Sequence, residues 1–200
     1  VMAGGKNIRA FLAIEPPDDI LSAVIGLQEK LRRVIKGKIA WTRAGSQHIT
    51  LKFFGDVPAE DIDAIGRSVQ NRLQAGWSVN LKIAGLGLFP DARKPRVLWC
   101  AAAGDVAKLA ALQKQLDNDF APLGFAPETR PFRPHLTLAR IREPQTVRGL
   151  NEALEGQADF FTGQFNVHEL ILFQSRLRPE GASYTKLAAF PLEPPGYGEK

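Results

Sequence analysis

Apolar positions along this chain recur with two periods, and the changes from one to the other divide it into elements. Residues 8–14 form an apolar, β-prone run ended by Glu15-Pro16-Pro17. Asp18 or Asp19 then caps a helix reaching about Val34, with Ile20, Leu21, Val24, Leu27 and Leu31 at helical spacing. Residues 40–42 and 48–54 read as strands, Gly55-Asp56-Val57-Pro58 as a turn and 59–73 as a second amphipathic helix. Strands are expected over 79–88 and 97–101, joined by a basic hairpin loop over 89–95. Leu109, Leu112, Leu116 and Phe120 mark a third helix over 106–120, ended by Pro122 and Gly124. A proline- and arginine-rich approach over 127–134 leads into a strand from His135. A short helix near 147–154 and strands over 161–173 and 183–190 complete the chain.

Strand, helix and paired strands thus occur twice. The pattern predicts an α+β fold: two pseudo-symmetric lobes of antiparallel sheet backed by helices, forming one bilobal domain over residues 1–200 with a central cleft. A chain of 200 residues, 44% hydrophobic and 24% charged, is long enough for one good core or two small lobes sharing an interface. No apolar run approaches the ~20 residues of a membrane span, and no charged start precedes a long apolar core, so a cytoplasmic protein with no membrane partner is expected. Cys100, the one cysteine, sits in the strand-like run Val97-Leu98-Trp99-Cys100-Ala101 and reads as packing.

The chemistry is carried by a repeated phrase. Two of the three histidines stand in His48-Ile49-Thr50-Leu51 and His135-Leu136-Thr137-Leu138, 87 positions apart. An apolar residue, a threonine and a leucine in that order after a given histidine is roughly a one-in-a-thousand event at average composition. In an extended strand His48, Thr50 and Lys52 share one face and Ile49, Leu51 and Phe53 the other, and the second copy repeats the arrangement. Each strand anchors its apolar side and presents an imidazole and a hydroxyl. Two imidazoles facing one cleft supply both halves of a proton transfer near neutral pH.

Charge adds a direction. The formal net charge is +5, and one basic cluster, Arg130, Arg133, Arg140 and Arg142, flanks the second phrase, where it favours a phosphate-bearing substrate. Counting by two from His135 puts Arg140 on the opposite face unless the strand bulges or twists there. Arg133 is in phase with His135, and Lys52 with Thr50, which makes both candidate substrate ligands. Phe53, Trp41 and Phe132 are candidate stacking or core aromatics, and His168 lacks the phrase and reads as a surface strand residue.

The two phrases, with Leu51-Lys52-Phe53-Phe54-Gly55, Gly85-Leu86-Gly87-Leu88-Phe89-Pro90, Arg96-Val97-Leu98-Trp99 and the run from Arg130 to Arg140, resemble the 2H phosphoesterase superfamily. Within it they are most similar to the RNA 2′,3′-cyclic phosphodiesterases, also called 2′-5′ RNA ligases. The resemblance implies metal-free, cofactor-free hydrolysis of a ribonucleoside 2′,3′-cyclic phosphate to a 2′-phosphate. It makes His48 the proton donor and His135 the proton acceptor, Thr50 and Thr137 donors to the phosphate oxygens, and Arg140 a phosphate ligand. The expected partner is an RNA or oligonucleotide ending in a 2′,3′-cyclic phosphate, or a small cyclic nucleotide, and the expected state is a monomer. Residues alone leave the acid and base interchangeable. Rival readings are 2′-5′ RNA end-joining as the main role, a non-catalytic module binding nucleotides or RNA ends, and a metal hydrolase, for which neither phrase brings a carboxylate near its histidine on the same face.

Overall fold

The structure, a computed structural model, describes residues 7–178 and 181–192; the expected 1–200 span extends beyond these at both ends. Nine strands, β1 (Asn7–Ile14), β2 (Ile39–Trp41), β3 (Ile49–Pro58), β4 (Asn80–Phe89), β5 (Val97–Gly104), β6 (His135–Ile141), β7 (Phe165–Asn166), β8 (Glu169–Arg178) and β9 (Gly181–Pro191), form one antiparallel sheet. Its order is β7-β4-β5-β6-β3-β1-β8-β9, with β2 also paired to β6. Four α-helices, α1 (Asp18–Val34), α2 (Ile62–Leu73), α3 (Val106–Phe120) and α4 (Leu150–Glu155), cover one face.

The hydrophobic pattern explains this layering. On β1, Ala10, Leu12 and Ile14 face the main core, while Phe11 and Ala13 bury against Ile171 and Phe173 of β8 on the other side, so the strand is apolar on both faces from Ala10 to Ile14. On α1 the stripe Ile20, Leu21, Val24, Leu27 and Leu31 is buried. The helix begins after an extended Pro17 with no side-chain cap; Asp18 and Asp19 sit in its first turn and Arg32 and Arg33 in its last, each complementing the local end of the helix dipole. The second helix starts with a 3-10 turn, Ala59–Asp61, and the fourth is shorter than expected, with a 3-10 turn, Pro144–Thr146, ahead of it.

The expected single strand over 161–173 is two strands. β7 pairs with β4 and β8 with β1, at opposite ends of the sheet order, and only Val167 and His168 separate them. Such a link spans roughly 10 Å, so the sheet curls until its two ends approach. The chain also weaves between lobes, because β1, β3, β8 and β9 lie in one and β2, β4, β5, β6 and β7 in the other. The lobes therefore do not correspond to the two halves of the sequence.

Candidate active site

Within the described sheet the two lobes are laddered through one residue pair, Ile49 of β3 with Leu136 of β6. These are the same position in the two repeated phrases, and both side chains are fully buried in the core. In antiparallel register this pair sets His48 beside Thr137 and Thr50 beside His135, all four on the face opposite the helices. The phrases thus lie side by side, head to tail, at the seam of the sheet.

Both strands bulge at the same place. In the β1–β3 ladder Ala13 pairs with Thr50 and Leu12 with Lys52, which leaves Leu51 as the extra residue. In the β5–β6 ladder Trp99 pairs with Thr137 and Leu98 with Ala139, which leaves Leu138 extra. Each extra leucine is held by a buried glutamine on a helix. Gln113 Nε2 donates to the Leu51 carbonyl at 3.3 Å, and Gln28 Nε2 to the carbonyls of Leu138 and Thr42, both at 2.8 Å. A bulge moves every later residue to the opposite face. Arg140 consequently pairs with Val97 on the side of Thr137 and stands exposed beside the histidines, where its charge acts on both imidazoles.

The same shift turns Lys52 away. It pairs with Leu12, a core residue, and its Nζ bonds the Asp117 carboxylate of α3 and donates to the Ala126 carbonyl at 2.7 Å. With side chains 9% and 7% exposed, Lys52 and Asp117 form a buried ion pair. The expected phase of Lys52 with Thr50 is therefore corrected: the bulge at Leu51 turns its side chain toward Asp117, and it lines the groove beside Thr50 rather than sharing its face. Phe53, two-fold equivalent to Arg140, takes the open face instead, half exposed and stacked near Phe11 with the Arg9 guanidinium 4.8 Å from its ring centroid.

The two imidazoles are held alike. His48 Nδ1 lies 3.0 Å from the Ser46 carbonyl and His135 Nδ1 2.6 Å from the Arg133 carbonyl, in each case two residues upstream. A carbonyl only accepts, so Nδ1 carries the proton in both rings and each neutral imidazole keeps its lone pair on Nε2. Each ring also has an aromatic wall. Phe11 is 4.6 Å and Tyr184 5.1 Å from the His48 ring, centroid to centroid, with Phe173 behind at 6.2 Å. Phe89 is 5.0 Å and Trp99 6.0 Å from His135. The Trp99 indole lies over Gly87, where a Cβ would collide with it; this accounts for a glycine within the Gly-Leu-Gly-Leu-Phe run.

Burial is the chief reason both histidines titrate below their ordinary 6.5, and the carbonyl bonds at Nδ1 partly oppose it. Arg140 depresses both further. His48 alone also feels Glu15, which favours its charged form, and His135, which disfavours it. Burial raises the Tyr184 hydroxyl above its ordinary range, and Arg140 pulls it back. The Cys100 thiol, buried under β5, is pushed up to about 12, a packing group rather than a nucleophile.

Arg133 is exposed on the wall of a groove of about 1000 Å³ that starts at Thr50 and His135. Phe132 also lines the groove; Trp41 lies instead under the Arg32 guanidinium, 5.3 Å from its centroid. His168 is exposed at the turn between β7 and β8. Among the described residues no group of three or more His, Cys, Asp or Glu side chains is placed to hold a metal ion. No described helix is long and apolar enough to cross a membrane. The aromatic neighbours Phe11, Phe173, Tyr184, Phe89 and Trp99 escape sequence reasoning because long-range strand pairing alone brings them to the histidines.

Comparison with known proteins fits this geometry. A model of the 2′-5′ RNA ligase superfamily matches residues 24–178, well over half of the chain. The chain belongs to the 2′-5′ RNA ligase superfamily. It is 32% identical over 186 residues to the RNA 2′,3′-cyclic phosphodiesterase of Methanothermobacter thermautotrophicus, covering 93% of this chain and 100% of that protein. Among solved structures it is similar to TT0787 of Thermus thermophilus, with a TM-score of 0.78 at 23% identity over 94% of this chain and 100% of that one, a likeness of fold. Escherichia coli LigT, in apo form and complexed with 3′-AMP, superposes with a TM-score of 0.71 at 25% identity over 94% and 99% of the two chains. Membership of this superfamily agrees with the 2H phosphoesterase resemblance of the paired phrases.

Proposed function

We propose that this protein, acting as one bilobal domain, hydrolyses RNA or nucleoside 2′,3′-cyclic phosphates to 2′-phosphates by metal-independent acid/base catalysis at His48 and His135. The observation that carries the proposal is the pair of imidazoles at the seam, each fixed through Nδ1 to a carbonyl with Nε2 left for chemistry, and each beside the other phrase's threonine. Relatives named RNA 2′,3′-cyclic phosphodiesterase support the same reading.

Neutral His135 takes a proton from water as the water oxygen bonds phosphorus in line, and protonated His48 gives its proton to O3′ as the P–O3′ bond breaks. One water is consumed, and the product carries a 2′-phosphate and a free 3′-hydroxyl. The pair ends with its protonation states exchanged and resets through solvent. The family resemblance assigns His48 the acid role; Glu15 favours its charged form, while burial, His135 and Arg140 oppose it. Thr50 and Thr137 donate to the non-bridging oxygens, where charge accumulates, and Arg140 neutralises them through charge-assisted bonds. Arg133 contributes positive potential at the groove mouth.

Product analysis on an RNA ending in a 2′,3′-cyclic phosphate, with chelator present, tests reaction, regiochemistry and metal independence together. The expected product is the 2′-phosphate at an undiminished rate. A 3′-phosphate, or turnover lost in chelator and restored by a divalent metal, overturns the proposal.

A further inference from the structure

The aromatic walls of the two histidines match except for one hydroxyl. His135 lies beside Phe89 and Trp99, and His48 beside Phe11 and Phe173, but a tyrosine also meets His48. Tyr184 of β9 pairs with Ser175 of β8, and Lys186, two residues on, pairs with Phe173. Paired residues of an antiparallel ladder point to one face, so Tyr184 and Lys186 join Phe173 on the face that carries the imidazoles. The other lobe has no counterpart. There β7 takes the place of β9, but it has two residues and pairs with Asn80 and Leu81, at the far end of β4 from Phe89.

The Tyr184 ring is held, and its hydroxyl is not. The ring stands edge-on to His48, at 89° and 5.1 Å between centroids, and at 76° and 5.1 Å to Phe11. Lys186 bonds the Glu15 carboxylate just past the end of β1, which ties β9 across β8 to the strand carrying Phe11. A tyrosine hydroxyl withdrawn from water normally finds a protein partner. Among the described residues this one makes no hydrogen bond, and the described side-chain polar atoms that are both buried and unpartnered belong to Gln47 and Trp99, so the Tyr184 hydroxyl is open to solvent. The Arg140 charge reaches it, as it reaches both imidazoles. A donor on a fixed ring therefore stands beside His48 in the field of the arginine that faces the phosphate.

We propose that Tyr184 is a further substrate-contacting residue, its hydroxyl donating a hydrogen bond to one non-bridging oxygen of the cyclic phosphate on the His48 side. The inference rests on the proposed hydrolysis at His48 and His135 and adds a donor that the repeated phrases do not supply. Because one lobe alone provides it, the contact tells the two non-bridging oxygens apart. They are chemically distinct, since one lies on the ribose side of the cyclic ester and the other points away.

The test uses Tyr184→Phe, which keeps the ring against His48 and Phe11 and removes only the hydroxyl. Its substrates are a nucleoside 2′,3′-cyclic phosphate and the two diastereomers of the corresponding phosphorothioate. Losing a hydrogen bond to a charged oxygen corresponds to about 10–10²-fold, so kcat on the oxygen substrate should fall by that factor with KM changing less. Sulfur is a weak acceptor. The diastereomer with sulfur at the contacted position has already lost most of the bond, so Tyr184→Phe should slow it only slightly, while the other diastereomer should lose the full factor. A ring that only walls His48 gives no such split. If the wild-type protein does not hydrolyse the oxygen substrate, the proposed function fails and this contact with it. If the wild-type protein is active and Tyr184→Phe keeps kcat within about twofold, or slows both diastereomers by one factor, Tyr184 makes no phosphate contact and the two-histidine reading stands without it.

Discussion

Replacing Lys52 by methionine tests whether its ammonium serves the buried pair with Asp117 or the phosphate. Methionine keeps most of the apolar stem and removes the ammonium, leaving Asp117 buried with the Glu128 backbone N–H as its remaining charge-stabilising contact. Breaking a buried pair by deleting one partner costs about 3–5 kcal/mol. For a domain of this size each kcal/mol lowers Tm by about 2–4 °C, so Lys52→Met should lose roughly 6–20 °C. The Asp117 bond to Glu128 favours the lower part of that range. Thermal unfolding followed by circular dichroism reads the loss, and adding Asp117→Leu should restore much of it by removing the stranded carboxylate. Because Lys52 faces α3 and not the imidazoles, kcat on a nucleoside cyclic phosphate, measured well below Tm, should stay within a few-fold of wild type. An unchanged Tm together with a tenfold or greater rise in KM would refute this and return Lys52 to the phosphate.

Four further outcomes follow from the same geometry. With both imidazoles depressed by burial and by Arg140, kcat/KM, which reports the free enzyme, should fall as pH rises above about 6.5, and Arg140→Met should move both limits upward while raising KM; a profile unmoved by Arg140→Met contradicts the placement of that charge. The same depressions give stability that is complete above the unfolded value near 6.5 and is lost as pH falls through the lower folded values, which pH-dependent unfolding checks. Thr50→Ala and Thr137→Ala should each lower kcat by about 10²-fold with KM little changed, and either hydroxyl is dispensable if kcat survives. Gly87→Ala should displace the Trp99 indole, costing about 1–3 kcal/mol and weakening the wall behind His135; wild-type stability would mean that the indole shifts freely.

The parts of this molecule set by local chemistry were legible in its residues, and those set by pairing were not. The α3 span of 106–120 is the expected one because its apolar positions keep helical spacing with no competing signal. The two phrases were visible because identical residues recur in order. Lys52 and Arg140 were both misphased for one reason: counting by two assumes an unbroken pleat, and the bulges at Leu51 and Leu138 depend on partner strands and on glutamines distant in the chain. Tyr184, Phe11 and Phe173 reach His48 through the order β3-β1-β8-β9, which no local pattern encodes. Residues 161–173 read as one strand because no glycine, proline or turn dipeptide between Phe165 and Phe173 marks the point where the chain leaves one end of the sheet for the other.

The central claim is a division of labour between two similar histidines, and leaving-group rescue tests it most directly. A 2′,3′-cyclic substrate with sulfur in place of the bridging 3′-oxygen expels a thiolate and needs no general acid. On the ordinary substrate His48→Ala and His135→Ala should each lose most of kcat, and the double variant should be little worse than either, since residues acting as one unit are not additive. On the 3′-thio substrate His48→Ala should recover most of its lost kcat and His135→Ala almost none. Rescue of His135→Ala instead would reverse the roles, and substantial turnover of the ordinary substrate by both single variants would contradict two-histidine catalysis.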